Sequence, residues 1–120
     1  MYLMVPSKVA YRIVASPIFK LSLQRLLFFL EKKYSSVVAK KTKLKIRKTL
    51  ENQLSKNPEI APVSDRLIDL GISEYRQLLV DKHKLIFFRI DSKNQQVVLL
   101  LVMDARQSIR KLLSEVNLLV

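Results

Sequence analysis

Three observations point to an α+β domain. The first half of the chain repeats apolar residues at helical spacing. The second half carries short runs that alternate or stay apolar at strand spacing. Helical and strand regions are segregated rather than interleaved. A length of 120 residues fits one domain, residues 1–120, large enough to bury roughly two-thirds of its unfolded surface. The expected order is an N-terminal strand, an antiparallel helical hairpin, a three-stranded antiparallel meander and a short C-terminal helix.

Each element has a local reason. In "KVAYRIVA", Lys8 to Ala15, the residues Val9, Tyr11, Ile13 and Ala15 share one side with Arg12 opposite, a period-2 strand pattern. Ser16 then offers an N-cap and Pro17 a first helical residue. At 100° per residue, Phe19, Leu23, Leu26, Leu27, Leu30 and Tyr34 form one apolar stripe of this helix. Ile18, Leu21, Phe28 and Phe29 form a second on nearly the opposite side, which must meet another helix or a partner chain. Ser35 or Ser36 caps a second helix over Val37 to Ser55, ending before Pro58, with Ala39, Ile46, Leu50 and Leu54 inward. Lys41, Lys45 and Lys48 recur at i, i+4, i+7 and line up on another face, with Lys40 and Arg47 nearby. Such a row reads either as a solvated face or as a polyanion contact.

The segment "KNPEIAPVSD", Lys56 to Asp65, holds two prolines and reads as an irregular connection. Strands follow at Tyr75 to Val80, Lys84 to Asp91 and Gln96 to Met103, with "DKH" and "DSKNQ" as turns. In the middle one, Lys84, Ile86, Phe88 and Ile90 point one way and Leu85, Phe87 and Arg89 the other. "VVLLLVM" is apolar on both faces, as a central strand covered on both sides requires. Ile109, Leu112, Leu113 and Val116 give a last amphipathic helix, and the terminal "NLLV" is expected to fold back onto the core.

Composition narrows the function. The absence of cysteine removes disulfides and thiolate metal sites, and a single histidine, His83, makes a zinc centre improbable. One glycine, Gly71, excludes the glycine-rich loops that cradle phosphates. No cofactor or metal is expected. The longest apolar run, Val97 to Met103, is far short of the roughly 20 residues that span a bilayer, and "MYLMVPSK" lacks the basic lead of a signal peptide. A cytoplasmic protein with no membrane partner is the resulting expectation. The net charge is +12 and the isoelectric point about 10.2, an excess that implies a polyanionic partner. Few exposed aromatics are expected among the lysines, which argues against a protein that stacks single-stranded bases.

"YRQLLVDKHKLIFFRID" followed by "VVLLLVMDARQSIRKLL" resembles the RelE/ParE superfamily, the toxins of type II toxin–antitoxin modules. The likeness runs over about residues 9–116 and rests on the order and spacing of the "YR" pair, the basic-apolar "HKLIFFRI" strand and "DARQSIRKLL". RelE-like members resemble ribosome-dependent, metal-independent messenger-RNA endonucleases. Attack by a ribose 2′-hydroxyl needs a base, an acid and cations that offset charge on the phosphate. The resemblance implies two lysines at i, i+2 on one strand, an arginine on the next, an arginine after the last strand and a tyrosine in the final helix. Here Arg76 stands at the first lysine, Leu78 at the second, Lys84 at the strand arginine, Arg106 at the following arginine and Leu112 at the tyrosine. Neither leucine moves a proton, and Lys84 lacks the planar grip of arginine. His83 reads as a turn residue flanked by lysines rather than as a proton carrier.

The ParE-like branch, which resembles inhibitors of DNA gyrase that act by binding, fits better. Its basic-polar pair and following "L-L" helix match Arg106, Gln107, Leu112 and Leu113, with Arg110 beside them as a target contact. Growth arrest and plasmid stabilisation are the outcomes this implies. The resemblance also implies a cognate acidic antitoxin, for which Ile18, Leu21, Phe28 and Phe29 with Lys41, Lys45 and Lys48 are the candidate surface. The enzyme alternative, with ribosome and messenger RNA as target, would use Arg76, Lys84, Arg106 and His83. A third alternative is a basic nucleic-acid-binding module without toxicity.

Overall fold

A computed structural model of the chain describes residues 10–115. Val116, the terminal "NLLV" and the first residues of the predicted N-terminal strand lie outside them. The elements are β1 (Arg12–Ala15), α1 (Pro17–Lys33), α2 (Ser36–Thr49), α3 (Asp65–Ile68), β2 (Arg76–Leu79), β3 (Lys84–Asp91), β4 (Gln96–Asp104) and α4 (Ile109–Glu115). This is the predicted α+β order with one added turn of helix, α3.

The four strands form one sheet in the order β1-β4-β3-β2. β2, β3 and β4 make the antiparallel meander, and β1 adds to the far edge of β4 in parallel, Arg12 opposite Gln96 and Ala15 opposite Leu99. The two strands with the longest apolar runs are therefore the two central ones. Between β3 and β4 the register shifts: Phe87 faces Leu101 whereas Phe88 faces Leu99, so Leu100 is the extra residue of a bulge. The bulge turns Leu100 and Leu101 toward the same apolar cluster, where strict alternation would separate them.

Helices cover both faces. Phe19, Leu26 and Leu30 of α1 and Ala39 and Ile46 of α2 pack on Ile86, Phe88, Val97, Leu99 and Val102. On the other face Leu67 of α3 and Leu112 and Leu113 of α4 pack on Leu85, Phe87, Leu101 and Met103. Ser16 caps α1 as expected, its Oγ accepting from the Phe19 N–H at 3.0 Å. Ser35 does the same for α2, accepting from Val38 at 3.2 Å. Within α1, buried Ser22 donates to the Phe19 carbonyl at 2.9 Å and accepts from the Val102 N–H at 3.0 Å, joining helix to sheet.

α2 runs on into a π-helical turn, Leu50–Leu54, in which the Ser55 N–H reaches back to the Leu50 carbonyl. The whole helical segment thus ends one residue short of the expected Ser55. The connection after it is less irregular than its prolines imply. Pro58–Ile60 forms a 3₁₀ turn, and Ser64 caps α3 through the Leu67 N–H. Gly71 closes that turn with φ of +79°, and its N–H bonds the Ile68 carbonyl; the lone glycine serves a backbone reversal. Among the described residues no helix is long and apolar enough to cross a membrane.

Candidate functional site

The charged groups of the meander gather at the sheet end where β3 begins and β4 finishes. Lys84 opposes Asp104 across the two central strands. Both are buried, with Nζ 3.8 Å from Oδ2. The Asp104 carboxylate also accepts two bonds from the Arg106 guanidinium, Nε to Oδ1 at 2.9 Å and Nη2 to Oδ2 at 2.7 Å, and a third from the Arg106 backbone N–H. Gln107 Oε1 accepts from the Asp104 N–H, and the Gln107 N–H returns to the Asp104 carbonyl. "DARQ" is therefore a self-bonded turn with a carboxylate at its centre. The Arg106 bonds hold the Asp104 carboxyl down to about 2, against the opposing effect of burial, with Lys84 adding to the pull.

The turn before β3 completes this end. Asp81 Oδ1 accepts from the N–H groups of His83 and Lys84 at 2.8 and 3.0 Å, and the His83 carbonyl accepts from Ala105. Burial pushes the Asp81 carboxyl up, but the His83 N–H and the Lys84 charge bring it below its ordinary value. The His83 backbone is bonded on both sides, whereas its residue is exposed. Lys45 of α2 adds a weaker pull on the Asp81 carboxyl.

Arg76 does not join this group. It pairs with Phe88, four residues along β3 from Lys84, a separation of roughly 13 Å. Its Nη1 donates to the carbonyls of Ala61 at 2.6 Å and Glu59 at 3.3 Å, bracing the preceding loop against β2. The four candidate nuclease residues are thus split: Lys84, Arg106 and His83 share a sheet end, while Arg76 lies opposite mid-strand Phe88 and is occupied. Lys84 is sealed in its ion pair.

Of the candidate target contacts, Arg106, Gln107 and Arg110 are exposed on the turn and on α4. Leu112 and Leu113 are not. Both are buried against the sheet, so they are corrected from contact residues to the side chains that seat α4. The spacing that marked them is the spacing of an inward helix face. Around them, α1 and α4 enclose a slot of about 170 Å³ lined in part by Ser22, Phe29, Val102 and Gln107, and Arg25 pairs with Glu115 at its rim at 2.6 Å.

The second stripe of α1 also divides. Leu21, Phe28 and Phe29 are exposed, but Ile18 packs against the inner cluster and is corrected to a core-side position. Beside Leu21, the outer seam between α1 and α2 forms an apolar groove of about 500 Å³, lined by Pro17, Lys20, Leu21, Leu23, Leu27 and Lys43. It continues past Ile46, Arg47 and Leu50 into a second hollow of about 240 Å³. Lys41, Lys45 and Lys48 are exposed, yet each lies roughly 140–160° around α2 from Lys43. They face away from the groove, on the side of the Asp81 turn. Its basic rim is instead Lys20, Lys43 and Arg47, which the even lysine spacing elsewhere concealed.

A helical hairpin on one face of a four-stranded sheet built on the β2-β3-β4 meander, with a short final helix on the other face, is a RelE-like fold. Among solved structures the chain is similar to one in the RelBE2 toxin–antitoxin complex of Mycobacterium tuberculosis. The match has a TM-score of 0.56 at 16% identity and covers 82% of this chain and 94% of that one. No protein-family model and no curated protein sequence matches the chain.

Proposed function

We propose that this protein is the toxin of a type II toxin–antitoxin pair, that an acidic antitoxin neutralises it, and that it acts in the cytoplasm by binding DNA gyrase. The fold it shares with a chain of the RelBE2 toxin–antitoxin complex supports the first part. The α1–α2 groove supports the second: an apolar floor between Lys20, Lys43 and Arg47 suits an amphipathic helix with acidic flanks. In a protein of net charge +12, electrostatic steering would speed that encounter.

One observation carries the non-catalytic reading. Two of the cations that would stabilise a phosphate in a nuclease are already bonded to the protein: Arg76 to two carbonyls, and buried Lys84 to Asp104, which leaves Arg106 as the exposed one. Leucines stand where the resemblance places a lysine and a tyrosine, and one of them, Leu112, is buried. A ribose phosphate needs a base, an acid and cations together, and the two leucines remove two of the expected partners. What is left exposed at this end is a grip, made of Arg106, Gln107 and Arg110.

The RelE-type name of the structural neighbour keeps a second reading in play, a ribosome-dependent ribonuclease built on Arg106 and His83 at the shared sheet end. Two assays on the purified protein separate them. The gyrase reading expects loss of supercoiling activity with accumulation of cleaved DNA, and Arg110→Glu to relieve both. Cleavage of messenger RNA on translating ribosomes, abolished by His83→Ala, with supercoiling intact, would overturn it.

A further inference from the structure

The last turn of α1 carries an unusual surface. Phe28, Phe29 and Tyr34 are exposed to 61%, 49% and 54%. Each ring lies under an ammonium: Lys32 is 5.3 Å from the Phe28 centroid, and Lys33 is 5.5 Å from Phe29 and 5.6 Å from Tyr34. The sequence reading expected few open rings among the lysines, and the structure reverses that. The i, i+4 spacing of Phe28 with Lys32 and of Phe29 with Lys33 explains why: a helix sets each lysine one turn above a ring.

We infer that this aromatic–lysine platform binds single-stranded nucleic acid, with bases stacked on Phe28, Phe29 and Tyr34 and phosphates on Lys32 and Lys33. A base and an ammonium compete for the same ring face. An incoming strand offers both parties a partner, since the base takes the ring and the phosphate takes the displaced lysine. A duplex offers no free base face. An apolar helix from another protein would have to strip three ammonium–ring contacts and leave two lysines without an anion. The groove assigned to the antitoxin is not used, so this inference stands apart from the toxin reading.

The test is fluorescence anisotropy with the purified chain and labelled twelve-residue oligouridylate, oligothymidylate and a blunt duplex of equal length. Single strands are expected to bind more tightly than the duplex. Phe28→Leu, Phe29→Leu and Tyr34→Leu should each weaken them by about fivefold or more, leaving the duplex unaffected. Phe28→Tyr and Phe29→Tyr should retain binding, which excludes a folding defect. Lys32→Gln and Lys33→Gln should each flatten the log–log salt slope for single strands by about 0.7. Equal binding of duplex and single strand, or leucine variants that bind as the parent does, overturns the proposal. So does tighter binding to phosphatidylglycerol vesicles or to polyglutamate that responds to the same three leucine changes.

Discussion

Asp104 organises more of this molecule than any other charged residue. Buried, it faces Lys84 across the sheet and Arg106 across its own turn. Asp104→Asn leaves the Lys84 ammonium buried without a counter-charge and should destabilise by about 3 kcal/mol. Lys84→Met should be milder, because Arg106 still satisfies the carboxylate. Urea denaturation of both variants checks the order, and the reverse order would mean that Lys84 is the pivot. The pH dependence has a defined sign. A carboxyl held at about 2 in the folded state, against 3.8 ordinarily, contributes stability that is full above pH 4 and is lost as pH falls toward 2. Acid titration of the parent should show that loss, on the order of 2 kcal/mol, and Asp104→Asn should lack it. Ser22 is the neutral counterpart. Ser22→Ala removes the acceptor for the buried Val102 N–H and should cost about 2 kcal/mol in the same denaturation experiment.

The helices differ in what holds them. α1 is fixed at its start by Ser16, which caps the helix and donates to the Leu100 carbonyl at the bulge. Ser16→Ala should lower stability by about 1 kcal/mol. α4 is short, and its visible polar tie, Arg25 to Glu115, is exposed. Pairs of that kind contribute little, so Glu115→Gln should shift stability by less than about 0.5 kcal/mol. Its anchor is the fully buried Leu113, and Leu113→Ala should cost about 3 kcal/mol. If Leu113→Ala also abolishes the proposed inhibition of gyrase while the charge-removing Arg110→Gln does not, α4 acts as a seated rigid contact rather than through any single charge.

For the molecule as a whole, a net charge of +12 on 120 residues makes association with charged partners dependent on salt. The groove variants Leu21→Asn and Lys43→Glu lie on exposed positions and should leave the melting temperature unchanged. Each should weaken the proposed antitoxin complex by about tenfold, roughly 1.4 kcal/mol. Isothermal titration calorimetry at two ionic strengths distinguishes them, since only the Lys43 effect should shrink at high salt. Lys41→Glu, on the far side of α2, should leave that affinity nearly unchanged.

Local chemistry made most of the fold legible. Ser16-Pro17 marked the start of α1, the span of β3 is the predicted Lys84 to Asp91, and the apolar run from Val97 foretold a strand covered on both faces. α3 escaped because four residues are too few for a helical period, although Ser64-Asp65 carried its capping signature. The candidate site was legible only as residue types. That Arg76 is spent on the Ala61 carbonyl, that Lys84 is sealed against Asp104, that Leu112 and Leu113 point inward and that Phe28 and Phe29 do not, all depend on which segments the packing brings together. Helix and strand periods are set by neighbours in the chain, so a sequence displays them directly. Whether a charge is free or occupied is set by groups 15 to 20 residues away, and the folded sheet had to bring them into contact first.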